Sequence, residues 1–339
     1  MKGIVIKGDR QSPVLVWETV PGVKFGPDEV LVDVWATAVN RADLLQARGG
    51  YPPPAGASDI LGLEMAGVIA AVGEDVEEWQ VGDRVCALLP GGGYAEQVAV
   101  PAGMLIQLPD SWTFAMGTAV PEVWYTAYVN LFLEGDLVAG ETVLIHAGAS
   151  GVGTAAIQLA NAADATVFVT AGSDEKLLAC RKLGAELAIN YKQDDFLARV
   201  LTATHEQGVD LILDPVGGGY LDRNVQALKR FGRLVNIGQL GGTQGEMNMG
   251  LVLGKRLRII GSTLRSRSPA EKVKITEQFL SGFWPLLRSG ELKPVIDTIF
   301  HISQAQAAHD YIMQNKNIGK VILVVREGAD VPPDKLNDK

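Results

Sequence analysis

Cysteine is nearly absent: Cys86 and Cys180 are the only two in 339 residues. Such a pair cannot build a disulfide framework or a four-cysteine zinc lobe, and it points to a reducing compartment. Histidine is also scarce, and His146, His205, His301 and His309 show no clustered ligand spacing, so no metal set is expected from them. No stretch offers roughly 18 uninterrupted apolar residues, and the opening MKGIVIKGDRQSP lacks the apolar run of a secretory signal. The expectation is a cytoplasmic chain without a membrane span. Basic residues are outnumbered, 30 Lys and Arg against 39 Asp and Glu, for a formal charge of −9. A nucleic-acid binder would carry a basic stripe, so no nucleic-acid partner is expected and any phosphate site must be local. No period of roughly 20–50 residues recurs, which sets repeat architectures aside.

What is present suits a folded α/β protein: 47% apolar residues, and 39 glycines spread along the chain. The length exceeds what one hydrophobic core usually serves, so two domains are expected. Residues 1–120 read as short strands and turns, among them GIVIKG, EVLVDVWATAVN, EMAGVIAAVG, DRVCALL and AEQVAVP. Near Pro121 the pattern changes, and over 121–262 strands (TVLIHA, TVFVTA, LAINY, DLILDPV, RLVNIG, RIIGS) alternate with amphipathic helical stretches. That alternation predicts βαβ crossovers and a parallel doubly wound sheet. Residues 263–326 add helices, an extended piece and a closing strand, KVILVV; periodicity leaves open whether they extend that sheet or return to the first domain. The polar, proline-containing 327–339 is expected to trail off the fold as a flexible tail.

The stretch ETVLIHAGASGVGTAAIQLA, residues 141–160, orders a strand, a turn with Gly148, Gly151 and Gly153, and a helix. Unpaired N–H groups and the dipole at such a helix start favour an anion such as a pyrophosphate. The spacing is GxxGxG, and a glycine-rich βα turn also arises for geometric reasons alone, so cofactor cradle and tight turn both stand. A triphosphate loop does not, because Thr154 and Ala155 occupy the places of its Lys and Ser or Thr. The next strand ends in Ala171, Gly172 and Ser173 with no carboxylate at its tip, and Lys176 follows one turn later. An acidic tip would repel a ribose 2′-phosphate; its absence leaves room for NADP, and Tyr191 after the third strand adds a hydroxyl. Against this, Lys176 reads equally as a solvated helix residue, and Asp174 either as a helix-start acid or as a ribose ligand selecting NAD.

The segments AVNRADLLQARGGYPPP, ILGLEMAGVIAAVG, VGDRVCALLPGGGYAEQVAVP, IHAGASGVGTAAIQLA and KNIGKVIL occur in this order. Together they resemble the medium-chain dehydrogenase/reductase superfamily over nearly the whole chain, to about Val325. Within it they are similar to the zeta-crystallin-like quinone oxidoreductases, closest to the tumour-suppressor-inducible branch. The resemblance implies a GroES-like β-rich catalytic domain formed by both chain ends and a Rossmann-like domain, with NADPH in the cleft between them, and it assigns 263–326 to the first domain. It implies that Ala149, Ser150, Gly151, Val152 and Gly153 line the pyrophosphate and that Gly172, Lys176 and Tyr191 hold the 2′-phosphate. Gly238, Leu264 and Arg265 become candidates to cover the nicotinamide, and Asn317 a residue reaching the cofactor from the returning tail. A homodimer is implied as well.

Zinc members of that superfamily carry a cysteine where this chain has Asn40 and a histidine where it has Leu63, beside the retained Gly62 and Glu64. Neither replacement is a usual zinc ligand, so no metal is expected. The resemblance places Asn40 and Tyr51 near the nicotinamide. Asn40 is expected to hydrogen-bond cofactor or acceptor oxygen, and Tyr51 to orient the cofactor or relay a proton; the alternatives are a turn-stabilising asparagine and a packed loop tyrosine. Glu64 reads as a buried structural acid rather than a catalytic one. The leading reading is a zinc-independent NADPH:quinone oxidoreductase, since a quinone accepts hydride readily and solvent can protonate the product. An enal or enoyl-thioester reductase is its enzyme rival, and a non-catalytic NADPH-binding protein the reading from another class.

Overall fold

The computed structural model describes residues 1–330, which divide into two compact units: Met1–Tyr125 with the chain from Arg265 onward, and Thr126–Leu264. In the first unit β1 (Lys2–Lys7) and β2 (Val14–Thr19) form an antiparallel pair. The main sheet runs in the order β14 (Ile296–His301), β15 (Lys320–Val324), β3 (Glu29–Val39), β4 (Glu64–Val72), β5 (Arg84–Leu88), β7 (Leu105–Gln107), and β6 (Gln97–Pro101) also pairs with β3. Strand β3 shows why: Val30, Val32 and Val34 alternate onto one face and are fully buried, together with Met65, Ile69, Val85 and Val98. The closing strand β15 lies antiparallel to β3 with Val321 opposite Val39, so the chain end is built into this sheet.

Helices of the first unit are α1 (Arg41–Ala47), α2 (Phe114–Thr118), the start of α3 (Pro121–Tyr128), α9 (Pro269–Gly282), α10 (Trp284–Ser289) and α11 (Ala305–Met313). Pro121 marks the start of α3, and the division between units falls within that helix. Of the expected tail over 327–339, residues 327–330 form a turn in which Ala329 is buried and its carbonyl accepts the Ala115 N–H at 3.0 Å. The rest of that tail lies outside the described residues.

The second unit contains one six-stranded sheet ordered β10 (Leu187–Asn190), β9 (Thr166–Ala171), β8 (Thr142–Ile145), β11 (Val209–Asp214), β12 (Leu228–Asn236), β13 (Arg258–Gly261). Every neighbouring pair is parallel. Its helices are α4 (Gly151–Ala162), α5 (Asp174–Lys182), α6 (Phe196–Ala203), α7 (Leu221–Ala227) and α8 (Met249–Lys255). In the unit's own chain order the strands run third, second, first, fourth, fifth, sixth, the doubly wound arrangement expected from the alternation. The order reverses between β8 and β11, and the glycine turn after β8 opens there. The core packs Leu144, Phe168, Ile189, Ile212 and Leu234 with Phe196 and Val200 of α6.

Candidate active site

In the second unit, Ser150 caps α4: its Oγ accepts the Gly153 N–H at 3.0 Å and its carbonyl accepts the Thr154 N–H at 2.8 Å. The N–H groups of Gly151 and Val152, also in the first turn, have no acceptor among the described residues, as expected for a helix start. Ala149, 2% exposed, and Ala147, at φ +53°, shape the turn. A β-carbon on Gly153 would sit 2.5 Å from the carbonyl oxygens of Ala147 and Gly148, so the glycine is what lets the helix meet the strand exit. Two open N–H groups at the positive end of a twelve-residue helix fit a phosphate anion.

At the neighbouring strand tips, Tyr191 lies on Gly172: a β-carbon there would be 2.7 Å from the tyrosine Oη. Tyr191 is 45% exposed, and Lys176 is half-buried in the first turn of α5, whose cap Ser173 accepts the Lys176 N–H at 3.4 Å. Asp174, the possible ribose ligand, accepts a hydrogen bond from Asn190 Nδ2 at 3.2 Å. Gly238 follows β12, its carbonyl accepting Asn236 Nδ2 at 3.0 Å. Leu264 is buried as the last residue of this unit.

A buried chain of hydrogen bonds ties these tips together. Asn224 Nδ2 donates to Asp214 Oδ2 at 3.0 Å, which leaves its Oδ1 to accept from His146 Nε2 at 2.8 Å; His146 Nδ1 then accepts from Thr170 Oγ1 at 3.0 Å. Burial lowers the pKa of His146, keeping it the neutral tautomer this chain requires. Asp214 also accepts the Val216 and Gly217 N–H groups, and Asn236 donates to its carbonyl. The ends of β8, β9, β11 and β12 are therefore set relative to one another by side chains.

In the first unit, Asn40 follows β3 and caps α1, where its N–H donates to Asp43 Oδ2 at 2.8 Å. Its side chain turns inward: Nδ2 donates to Glu64 Oε1 at 2.8 Å, and Oδ1 accepts from Lys320 Nζ at 2.7 Å. Lys320 pairs with Glu64 at 2.7 Å, with side-chain exposures of 3% and 0%, and Glu64 Oε2 accepts the Glu122 N–H at 2.9 Å. Asp43, fully buried, accepts the Gly62 N–H at 2.9 Å and faces Tyr94 Oη at 3.4 Å, which lies 3.2 Å from His309 Nε2. Burial raises Asp43 to about 6 and lowers His309 to about 3.

Tyr51 is half-buried, and the Arg265 guanidinium covers its ring at 5.3 Å from the centroid. Arg265 is 4% exposed and donates to Pro90 O at 2.8 Å, Tyr51 O at 3.2 Å and Gln46 Oε1 at 2.7 Å. Burial, then the charge of Glu122, raises the Tyr51 phenol, so it stays protonated at neutral pH.

The structure thus brings Ala149 to Gly153 into one turn and sets Gly172 against Tyr191 with Lys176 following. It gives the Arg265 guanidinium to the Tyr51 loop, Asn317 Nδ2 to its own turn through Gly319 O at 2.8 Å, and the Asn40 amide to Glu64 and Lys320. Glu64, read from the sequence as a buried structural acid, is fully buried, with both carboxylate oxygens accepting hydrogen bonds. Lys320, Asp43, Glu122 and the His146 chain were not singled out. A signal existed for some of them: Glu64 and Lys320 are lone charges beside apolar runs, LGLEMAGVI and GKVILVV, and Asn40 with Asp43 has the spacing of a capping box. Among the described residues, no helix is long and apolar enough to cross a membrane, and no group of three or more His, Cys, Asp or Glu is placed to hold a metal ion.

Residues 26–110 match the alcohol dehydrogenase GroES-like domain, and residues 151–280 the zinc-binding dehydrogenase domain. The synaptic vesicle membrane protein VAT-1 homolog of Rattus norvegicus is 32% identical over 316 residues, 88% of this chain and 77% of that one. Highly-reducing polyketide synthase 1 of Aureobasidium melanogenum is 33% identical over 308 residues, 90% of this chain, which spans only 14% of that protein. Among solved structures, the quinone oxidoreductase of Pseudomonas syringae pv. Tomato DC3000 superposes with a TM-score of 0.85 at 29% identity, covering 95% of this chain and 99% of that one. The Escherichia coli quinone oxidoreductase complexed with NADPH gives 0.83 at 27%, covering 96% and 100%. The CurK enoyl reductase gives 0.83 at 29%, covering 95% and 98%.

A GroES-like domain joined to a Rossmann-like parallel sheet defines a two-domain oxidoreductase. The chain belongs to the medium-chain dehydrogenase/reductase family, with quinone oxidoreductase-like structural neighbours.

Proposed function

We propose that this protein is an NADPH-dependent, zinc-independent quinone oxidoreductase. The observation that carries the reading is the pairing of a phosphate-fitting helix start with a non-acidic strand tip, where Tyr191 rests on Gly172 and Lys176 follows in the first turn of α5. Bound NADPH supplies a hydride from its nicotinamide. The Gly151 and Val152 N–H groups hold the pyrophosphate, Lys176 and Tyr191 hold the 2′-phosphate, and Gly238 and Leu264 belong to the loops that cover the nicotinamide. Asn40 acts through the Glu64 and Lys320 pair it orients, Arg265 fixes the Tyr51 loop, and Tyr51 presents a protonated phenol. Asn40 and Leu63 offer no usual zinc ligand where zinc members carry Cys and His, so the hydride is directed to an acceptor that needs no metal activation. Similarity to the Pseudomonas and Escherichia quinone oxidoreductases supports this choice. Similarity to CurK and to a polyketide synthase favours a second reading, reduction of enals or enoyl thioesters. A homodimer belongs to the same proposal.

NADPH oxidation with ortho- and para-quinones, set against 2-alkenals and enoyl thioesters, tests the reading. Turnover with quinones is expected; efficient alkenal reduction with no quinone activity would replace it by the second reading. Lys176→Ala is expected to raise the NADPH dissociation constant at least tenfold, about 1.4 kcal/mol, and that of NADH by less than threefold. Equal effects on both cofactors in a fluorescence titration would remove Lys176 from the phosphate site.

A further inference from the structure

We propose that the first unit carries a separate small-molecule site, between α1, α11 and the turn joining β1 to β2, that takes a small zwitterion with an apolar body, such as a free aliphatic α-amino acid. The inference stands apart from the functional reading above: every residue it uses lies in the first unit, and none is assigned there to NADPH or the acceptor.

A cavity of about 180 Å³ opens between these elements. Helix α11 lines it with Gln306, His309, Asp310 and Met313, which recur at steps of three and four and so share one face; α1 does the same with Leu44, Ala47 and Arg48. Leu15 of β2 completes the apolar wall, and its N–H donates to Gln306 Oε1 at 3.0 Å, tying the strand to the helix. Leu15, Leu44 and Ala47 are all buried. Apolar cavities of about 150 Å³ already hold benzene, so this wall has room for a branched aliphatic chain.

The polar groups of the cavity are left open to a ligand rather than spent on one another. His309 is 4% exposed, and its Nε2 lies 3.2 Å from Tyr94 Oη, whose hydroxyl donates to Asp43 Oδ2. Tyr94 therefore accepts from Nε2–H, which leaves Nδ1 a bare acceptor. Burial lowers the pKa of His309 to about 3 and keeps the ring neutral. Nδ1 has no hydrogen-bond partner among the described residues, and it is not one of the enclosed unsatisfied atoms, which are Thr118 Oγ1, Tyr125 Oη, Asn130 Oδ1 and Ser262 Oγ; it is reached from the cavity that His309 lines. Asp310 is half-buried and held by Gln306 Nε2, which donates to Oδ1 at 3.0 Å and leaves Oδ2 open. On the facing wall Arg48 is exposed and donates from one Nη to Met313 Sδ at 2.7 Å. No ion pair joins Arg48 to Asp310 among the described residues, although both line the cavity. Opposite charges that share a cavity without pairing suit a ligand of both signs. Its ammonium donates to Asp310 Oδ2 and His309 Nδ1, its carboxylate accepts from the Arg48 guanidinium, and its side chain lies on Leu15, Leu44 and Ala47.

The experiment is methyl NMR on the full chain with labelled methionine methyl groups, Met313 being assigned through Met313→Leu, together with calorimetry. L-Leucine is the probe. It is set against isopentylamine, which keeps only the ammonium, and isocaproate, which keeps only the carboxylate. L-Leucine is expected to move the Met313 resonance with a dissociation constant of about 1 mM or tighter, and each single-charge analogue to bind at least about tenfold more weakly. The His309 Nδ1 resonance should shift with it, as that nitrogen gains a hydrogen bond. Arg48→Gln and Asp310→Asn should each weaken L-leucine by about fivefold or more. Ala47→Leu, which fills the cavity, should abolish binding; the two charge variants carry the test if it does not fold. A Met313 resonance unmoved by all three probes up to about 50 mM would show a cavity that holds only water and would overturn the proposal. So would an analogue that binds as tightly as L-leucine, or wild-type affinity in both charge variants. No outcome depends on turnover of NADPH, so this site and the functional reading fail separately.

Discussion

Lys320→Met is expected to destabilise the first unit by about 3–5 kcal/mol, the usual cost of removing one partner from a buried ion pair. Glu64 and Lys320 have side-chain exposures of 0% and 3% and meet at 2.7 Å, so no water replaces the ammonium when it is removed. The carboxylate would keep only the Asn40 Nδ2 and Glu122 N–H donors. Glu64→Gln combined with Lys320→Met should recover much of the loss, because the stranded charge rather than the missing attraction dominates. The measurement is specific to this unit: Trp17, Trp35, Trp79, Trp112, Trp124 and Trp284 are all the tryptophans of the chain, and all lie in it. A urea transition followed by tryptophan fluorescence reads its unfolding directly. A loss below about 1 kcal/mol for the single variant would show the pair to be weak, in the range of exposed salt bridges.

Gly153→Ala should have the largest effect in the second unit. The added methyl would lie 2.5 Å from the carbonyl oxygens of Ala147 and Gly148 and 2.6 Å from the Gly148 carbonyl carbon, all backbone atoms. No rotamer change relieves such a contact, so helix α4 must withdraw from the strand exit. Overpacking of this kind costs about 1–3 kcal/mol. The same shift moves the Gly151 and Val152 N–H groups, and NADPH affinity is expected to fall at least tenfold, about 1.4 kcal/mol. Circular dichroism melting and an NADPH titration check the two parts separately. Unchanged affinity would mean that the turn does not hold the cofactor.

The alternation of strands and helices between 142 and 261 was legible because each buried parallel strand reads as a short apolar run and each helix carries its own period. The glycine turn was equally legible, since its glycines are local requirements of backbone geometry. Other elements were not. Strand β2, VLVWET, sits on an edge and leaves Val14 exposed at one end, and α1 and α8 span seven residues each, too short for a helical period to emerge. The residues LKR, which continue a helical pattern, belong instead to the start of β12, and that strand turns at Phe231, at φ +67°. Pairing with neighbours from elsewhere in the chain overrode local propensity there.

The site divides along the same line. Residue type and spacing determined the alternation of strands and helices over 121–262 and the position of the glycine turn, because each depends on contacts within a few positions, and the family resemblance added that Asn40 and Leu63 stand where zinc members carry ligands. The destination of each polar atom depended on contacts between residues far apart in sequence. Asn40 meets Lys320 across 280 positions and Arg265 meets Gln46 across 219. Only the tertiary structure decided that the Asn40 amide and the Arg265 guanidinium are committed internally. Hydrogen-bond partners are set by where the folded sheet brings its strands, and no period in the chain records that.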